Sequence, residues 1–144
     1  MACNQYIAFD FETSGLPKGR KPLTLETLSQ YDTCRAVSLS AARFSSRGRL
    51  IATFDAMIYP DDFDISPGSI AIHGITPDMA KASGRPFLQV FTDFMTFIGS
   101  RTETIVAHNA KFDTSVLRSE MFRHNIDTSL IETLQFRCTL ELYR

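Results

Sequence analysis

An α/β domain, with a sheet of mixed strand direction and helices packed on it, is the fold class this 144-residue sequence predicts. Apolar residues alternate at period two in three segments near the N-terminus, then recur at helical spacing over 86–98. A short apolar run at 104–108 leads directly into a second helical pattern, as where a strand feeds a helix. With 44% hydrophobic residues, no internal repeat and no linker-like stretch, the chain has material for one core, and residues 1–144 are expected to form a single domain.

The first strand is predicted at 5–12. Ile7, Phe9 and Phe11 alternate with Tyr6, Ala8 and Asp10, and both faces are largely apolar, as for a strand in the middle of a sheet. A long loop follows to about Cys34. Segments 35–44 (Val37, Leu39, Ala41) and 50–59 (Ile51, Phe54, Met57, Ile58) flank a polar, Gly-containing stretch at 45–49 and predict an antiparallel hairpin with a five-residue loop. After a Pro- and Asp-rich crossing come a short helical stretch near 69–73 and another opened by Thr76 as cap, with Pro77 at the first helical position. The helix at 86–98 turns Phe87, Val90, Phe91, Phe94, Phe97 and Ile98 to one face and stops at Gly99. Beyond the strand at 104–108, Asn109 is expected to cap a helix reaching about His124, with Phe112, Val116, Leu117 and Met121 inward and Asn125 at its end. A fifth strand is predicted at 134–138, and 139–144 begins like a capped helix, too short to stand alone.

Fifteen Lys and Arg face sixteen Asp and Glu, a formal charge of −1, which argues against binding a polyanion through a broad cationic surface. The charge is unevenly spread. Residues 18–49 carry seven basic and two acidic side chains, whereas 50–79 carry five aspartates and no Lys or Arg. Solvated loops of opposite sign are the ordinary reading of such runs. The three cysteines, Cys3, Cys34 and Cys138, make neither a disulfide framework nor a CxxC pair and read as reduced thiols. The N-terminus lacks a basic secretory n-region and no apolar run approaches membrane-spanning length, so an intracellular protein, cytoplasmic or nuclear, with no membrane partner is expected.

Asp10 and Glu12 end an otherwise apolar strand, and the period of two points both carboxylates to one face. An arbitrary D-x-E usually just ends a strand in solvent. Here Thr13-Ser14-Gly15-Leu16 turns the chain beside the acids and supplies backbone N–H groups for a phosphate, while hard divalent ions take oxygen ligands of this kind. Asp113 falls in the first turn of the helix after 104–108, where favourable interaction with the helix N-terminus alone would account for an acid. Both acidic segments follow strands that one sheet could set side by side, so the three carboxylates could converge on one cleft.

Phe9-Asp-Phe-Glu-Thr-Ser-Gly-Leu16, Ile72-His-Gly-Ile-Thr76 and His108-Asn-Ala-Lys-Phe-Asp113 resemble, in order, the first motif, the middle loop and the second motif of the DEDD 3′–5′ exonucleases, which include the epsilon subunit of bacterial DNA polymerase III and ribonuclease T. The resemblance implies an RNase H-like fold with a mixed five-stranded sheet flanked by helices. It implies two Mg²⁺ or Mn²⁺ ions, with Asp10 bridging them, Glu12 on the ion that activates water and Asp113 serving the leaving-group side. Two such ions about 3.5–4 Å apart lower the pKa of the attacking water and stabilise the departing oxygen. The product would be a nucleoside 5′-monophosphate. Thr13, Leu16, His73 and Asn109 match positions near the terminal nucleotide, Leu16 as an apolar surface against its base. For His73 a satisfied loop residue, and for Asn109 a helix cap, would equally explain the residue type. The substrate implied is a single-stranded or frayed 3′ end of DNA or RNA, with a polymerase or another replication or repair protein as partner. Residues 18–49 would guide the strand, and acid-bound metals would grip phosphate without a basic protein. Phe63, Phe87 and Phe94 could stack bases, but the helical spacing of the last two favours core packing.

The family's third motif, H-x₄-D or Y-x₃-D on a late helix, has no match after Asp113; His124 and Asp127 are three apart with Asn125 between them. The expectation is an exonuclease domain incomplete at its C-terminus, lacking the last helices, the general base and the last acid. The alternative is a non-catalytic nucleic-acid-binding or scaffold remnant of the same fold. Three carboxylates without partners favour the first.

Overall fold

β1 (Gln5–Thr13), β2 (Ala36–Ser45) and β3 (Leu50–Met57) form an antiparallel meander in the computed structural model, which describes residues 5–100 and 102–139. Three helices follow: α1 (Pro67–His73), α2 (Pro77–Ser83) and α3 (Phe87–Ile98). Then come β4 (Thr102–Ala107), α4 (Ala110–Arg123), the single turn α5 (Ser129–Glu132) and β5 (Phe136–Cys138). The sheet runs β3-β2-β1-β4-β5, with β4 parallel to β1 and β5 parallel to β4. The predicted mixed five-stranded sheet is therefore present, and β1 sits at its centre. The helix expected over 139–144 lies outside the described residues beyond Thr139.

Local chemistry explains the boundaries. Ser66 caps α1 and Thr76 caps α2, each side chain accepting from the amide three residues on, with Pro67 and Pro77 at the helix starts. In α3 the predicted stripe buries Phe87, Val90, Phe91, Phe94 and Ile98. Phe94 meets Phe9 of β1 at 6.0 Å and Phe54 of β3 at 5.7 Å between ring centres, which seats α3 on the sheet. Phe87 and Phe94 are thus core residues, not base-stacking surfaces. Helix α4 packs over β1, β2 and β4, burying Val116, Leu117 and Met121.

Two expectations for α4 are corrected. Asn109 occupies the cap position, but its side chain makes no capping hydrogen bond; its backbone is left-handed (φ 84°, ψ 60°), a conformation Asn tolerates better than most residues. The amide of Ala110 donates instead to Cys138 Sγ at 3.3 Å, so β5 supplies the cap. Phe112 is half-buried rather than fully inward, one side packed on the core and the other open to solvent.

Candidate active site

The site lies where β1 and β4 reach their C-terminal ends. β1 pairs with β4 as far as Ala8↔Val106; beyond it the chain turns through Asn109 into α4, and the Phe11 amide donates to Asp113 Oδ1 at 3.0 Å. This bond carries Asp113, buried in the first turn of α4, to the strand that bears Asp10 and Glu12. Those two carboxylates alternate with buried Phe9 and Phe11 and so project from the opposite face of β1, Asp10 exposed and Glu12 half-buried.

Past Glu12 the chain is fastened on several sides. The Ser14 amide donates to Arg35 O (2.8 Å), Ser14 Oγ accepts from the Arg35 amide (2.9 Å), and Ser14 O accepts from Ser66 (2.9 Å). Gly15 passes so close to Thr33 that a Cβ would lie 2.5 Å from its carbonyl oxygen, so the turn requires glycine. Thr13 Oγ1 donates to Gly15 O at 2.9 Å. His73 Nδ1 accepts from the Ile75 amide (3.0 Å), which leaves its proton on Nε2, donated to Thr13 O (3.0 Å). Both ring nitrogens therefore serve the backbone. His73 thus fastens the loop, and its ring also lines the cleft.

That cleft, of about 510 Å³, is bordered by Glu12, Thr13, Leu16, Ile72, His73 and Phe112. Leu16 is 75% and Ile72 84% exposed, two apolar side chains held in water on either side of it. Asn109 does not border this cleft; it lines a second one, of about 700 Å³, that shares Leu16 and Phe112 with the first. His108, expected to be packed or hydrogen-bonded, is exposed with Nδ1 3.1 Å from Thr139 Oγ1.

The carboxylates are electrostatically coupled. Burial pushes Asp113 up to about 7 against the opposing Phe11 hydrogen bond, and the charges of Asp10 and Glu12 push it the same way. Glu12 is raised by burial and then by Asp10, with His73 opposing; Asp10 is raised by burial. Among the described residues no three His, Cys, Asp or Glu side chains close into a ready-made ion cage. A magnesium-type ion held by one or two carboxylates, water and substrate phosphate needs none, and an all-oxygen donor set with unneutralised charge suits it.

Sequence reasoning missed the buried pair behind the site. Arg35 Nε donates to Glu120 Oε1 at 2.6 Å, Glu120 Oε2 lies 3.6 Å from His124 Nε2, and the His124 ring stacks on Phe87. The available signal was spacing: Glu120 falls on the inward stripe of α4 with Asp113, Val116 and Leu117. Phe63, considered for base stacking, carries the Arg35 guanidinium 4.6 Å above its ring.

A mixed five-stranded sheet flanked by helices, with acids at the adjoining ends of two central parallel strands, is the RNase H-like architecture of nucleases. The exonuclease family model (RNase_T) matches residues 7–144, and the chain belongs to that family, whose members generally use divalent metal ions. DNA polymerase III PolC-type of Streptococcus agalactiae (strain NEM316) is 31% identical over 134 residues, 91% of this chain and 8% of that protein. DNA polymerase III subunit epsilon of Treponema pallidum is 34% identical over 116 residues, 81% of this chain and 46% of that one. The chain thus spans under half the length of either relative. Among solved structures, E. coli exonuclease I in complex with a dT13 oligonucleotide superposes with a TM-score of 0.78 at 21% identity, covering 97% of this chain and 29% of that one. No helix among the described residues is long and apolar enough to cross a membrane.

Proposed function

We propose that this domain hydrolyses nucleic acid from the 3′ end, taking single-stranded or frayed DNA or RNA and releasing nucleoside 5′-monophosphates. The observation that carries the reading is the convergence of Asp113 from α4 with Asp10 and Glu12 on β1, through the Phe11–Asp113 hydrogen bond, beside a cleft with apolar walls. Asp10, Glu12 and Asp113 would hold Mg²⁺ or Mn²⁺, which supply an activated water and charge stabilisation at the departing oxygen. Leu16, Ile72 and Phe112 offer apolar surface to a terminal base, and the Thr13–Leu16 turn is fixed by Ser14 and His73, so the terminal nucleotide meets a preformed wall. The oligonucleotide in the structural relative and the polymerase names of the sequence relatives fit such a substrate and a partner in replication or repair. An intracellular setting goes with this substrate and with the free thiols of Cys34 and Cys138. The histidine and final acid of the third motif have no match in these 144 residues, and turnover is assigned to the domain together with them.

The test is incubation of a form that carries the third motif with 3′-labelled single-stranded DNA and RNA, in Mg²⁺ or in EDTA; release of mononucleotides by residues 1–144 alone would overturn the reading that a catalytic piece is missing. Mononucleotides are expected with metal and not with EDTA. Removing a metal-binding carboxylate forfeits several kcal/mol of transition-state stabilisation, so Asp10→Ala should lower the rate by roughly 10²-fold or more. Undiminished hydrolysis by that variant would sink the metal assignment. Strand binding without release, in a form that carries the third motif, would establish the non-catalytic alternative.

A further inference from the structure

The second cleft is lined by Lys18, Arg20, Lys21 and Lys111 and by no Asp or Glu. All four side chains are exposed, and none is paired with an acid among the described residues. Their loop is built to shape. The Lys18 amide donates to Gln30 O (2.7 Å), Gln30 Nε2 donates to Lys21 O (2.9 Å), and a Cβ on Gly19 would come within 2.9 Å of Gln30 Oε1. Lys111 faces this loop from the first turn of α4, and Leu16 and Phe112 form an apolar ridge shared with the acidic cleft next door.

Resting on the exonuclease reading, we infer that this basic cleft binds the phosphates of a single nucleic-acid strand upstream of its terminal nucleotide, with the Leu16–Phe112 ridge between the two. A strand whose last residue lies beside Glu12 and that leaves across Leu16 and Phe112, the residues common to both clefts, meets a surface whose charged side chains are all positive. The cleft thereby supplies locally the cationic grip that a net charge of −1 denies the molecule as a whole.

The experiment measures binding of a labelled octathymidylate over a range of salt concentrations, in EDTA to silence turnover. It compares two variants of equal charge loss: K18Q/R20Q in the cleft, and R47Q/R49Q at the β2–β3 hairpin tip, which lies at the opposite end of the sheet because Ser45 pairs with Gln5. Every phosphate that a side chain no longer neutralises reduces the salt slope of a single strand by about 0.7, so K18Q/R20Q should reduce it by about 1.4 and weaken binding, while R47Q/R49Q leaves it unchanged. Adding K111Q should reduce it further. Equal slopes in the two variants, with hydrolysis by the form that carries the third motif intact, would overturn the cleft and spare the exonuclease reading. A wild-type protein that does not bind the strand, and whose form with the third motif releases no mononucleotides with metal, would overturn both. All the substituted side chains are exposed, and circular dichroism checks that the fold is kept.

Discussion

The Phe11 amide has no β4 partner, and Asp113 Oδ1 answers it; the same carboxyl is the one that α4 brings to the strand bearing Asp10 and Glu12. Burial raises it to about 7 from an ordinary 3.8, so the metal-free folded protein holds a proton there that the unfolded chain releases. Its favourable contribution is complete below pH 3.8 and disappears as the pH rises through 7, a difference of up to about 4 kcal/mol. In EDTA the protein should therefore melt lower at pH 8 than at pH 6. Asp113→Asn keeps an oxygen for the Phe11 amide and removes the charge. It should raise the melting temperature at pH 8 and flatten that dependence while metal-dependent hydrolysis is abolished. A variant that melts lower than wild type at pH 8 would show that the buried charge is not what weakens the metal-free protein.

Helix α4 is held against the chain just before β2 by Arg35 and Glu120, 85 positions apart in the chain. Burial works to raise the Glu120 carboxyl, but the hydrogen bonds and charges of His124 and Arg35 outweigh it and hold the group below the usual range. Its stabilisation is present above the unfolded value of 4.5 and disappears as the pH falls through the lowered folded value. Glu120→Ala leaves the Arg35 guanidinium buried without a counter-charge, at a cost of about 3–5 kcal/mol in urea denaturation at neutral pH. Glu120→Gln should abolish the part of acid destabilisation that sets in below pH 4.5. This element also shows what a sequence conceals. The position of α4 was legible from Val116, Leu117 and Met121, because helical periodicity is local. A buried glutamate was not, because a charge on an inward stripe makes sense only once its distant partner is known. Asn109 marked the helix start correctly, but a left-handed turn and a sulfur acceptor from β5 replace the expected cap, and both depend on tertiary structure.

Across the whole molecule, the sheet closes through its shortest strand. β5 pairs with β4 over three residues, Phe136 touches Phe9 at 5.9 Å, Cys138 accepts from Ala110, and Thr139 meets His108. One edge thus organises the first turn of α4, where Asp113 sits. A chain ended after Leu134 should keep the β1–β2–β3 meander but lose hydrogen-exchange protection in β4 and at Ala110–Asp113. Protection unchanged in α4 would show that β5 is dispensable. The meander followed from alternation alone, because β1 is apolar on both faces and its neighbours are polar enough to mark their ends. The neighbouring acidic and basic clefts did not, because Lys111 and the 18–21 loop meet only in the folded chain.

The Phe11–Asp113 hydrogen bond has a consequence for how related chains are read. A descendant that had abandoned catalysis would still need an acceptor for that amide, but asparagine supplies one without the buried charge, so selection for folding alone would keep an Asp or Asn on α4 and not the carboxylate itself. The Asp10 side chain is exposed and makes no hydrogen bond or ion pair among the described residues, and nothing in the architecture asks for its charge. Of the three carboxylates, Asp10 is therefore the letter whose loss or retention in a lineage records whether the chemistry was kept, while an Asp or Asn at position 113 records that the protein still folds.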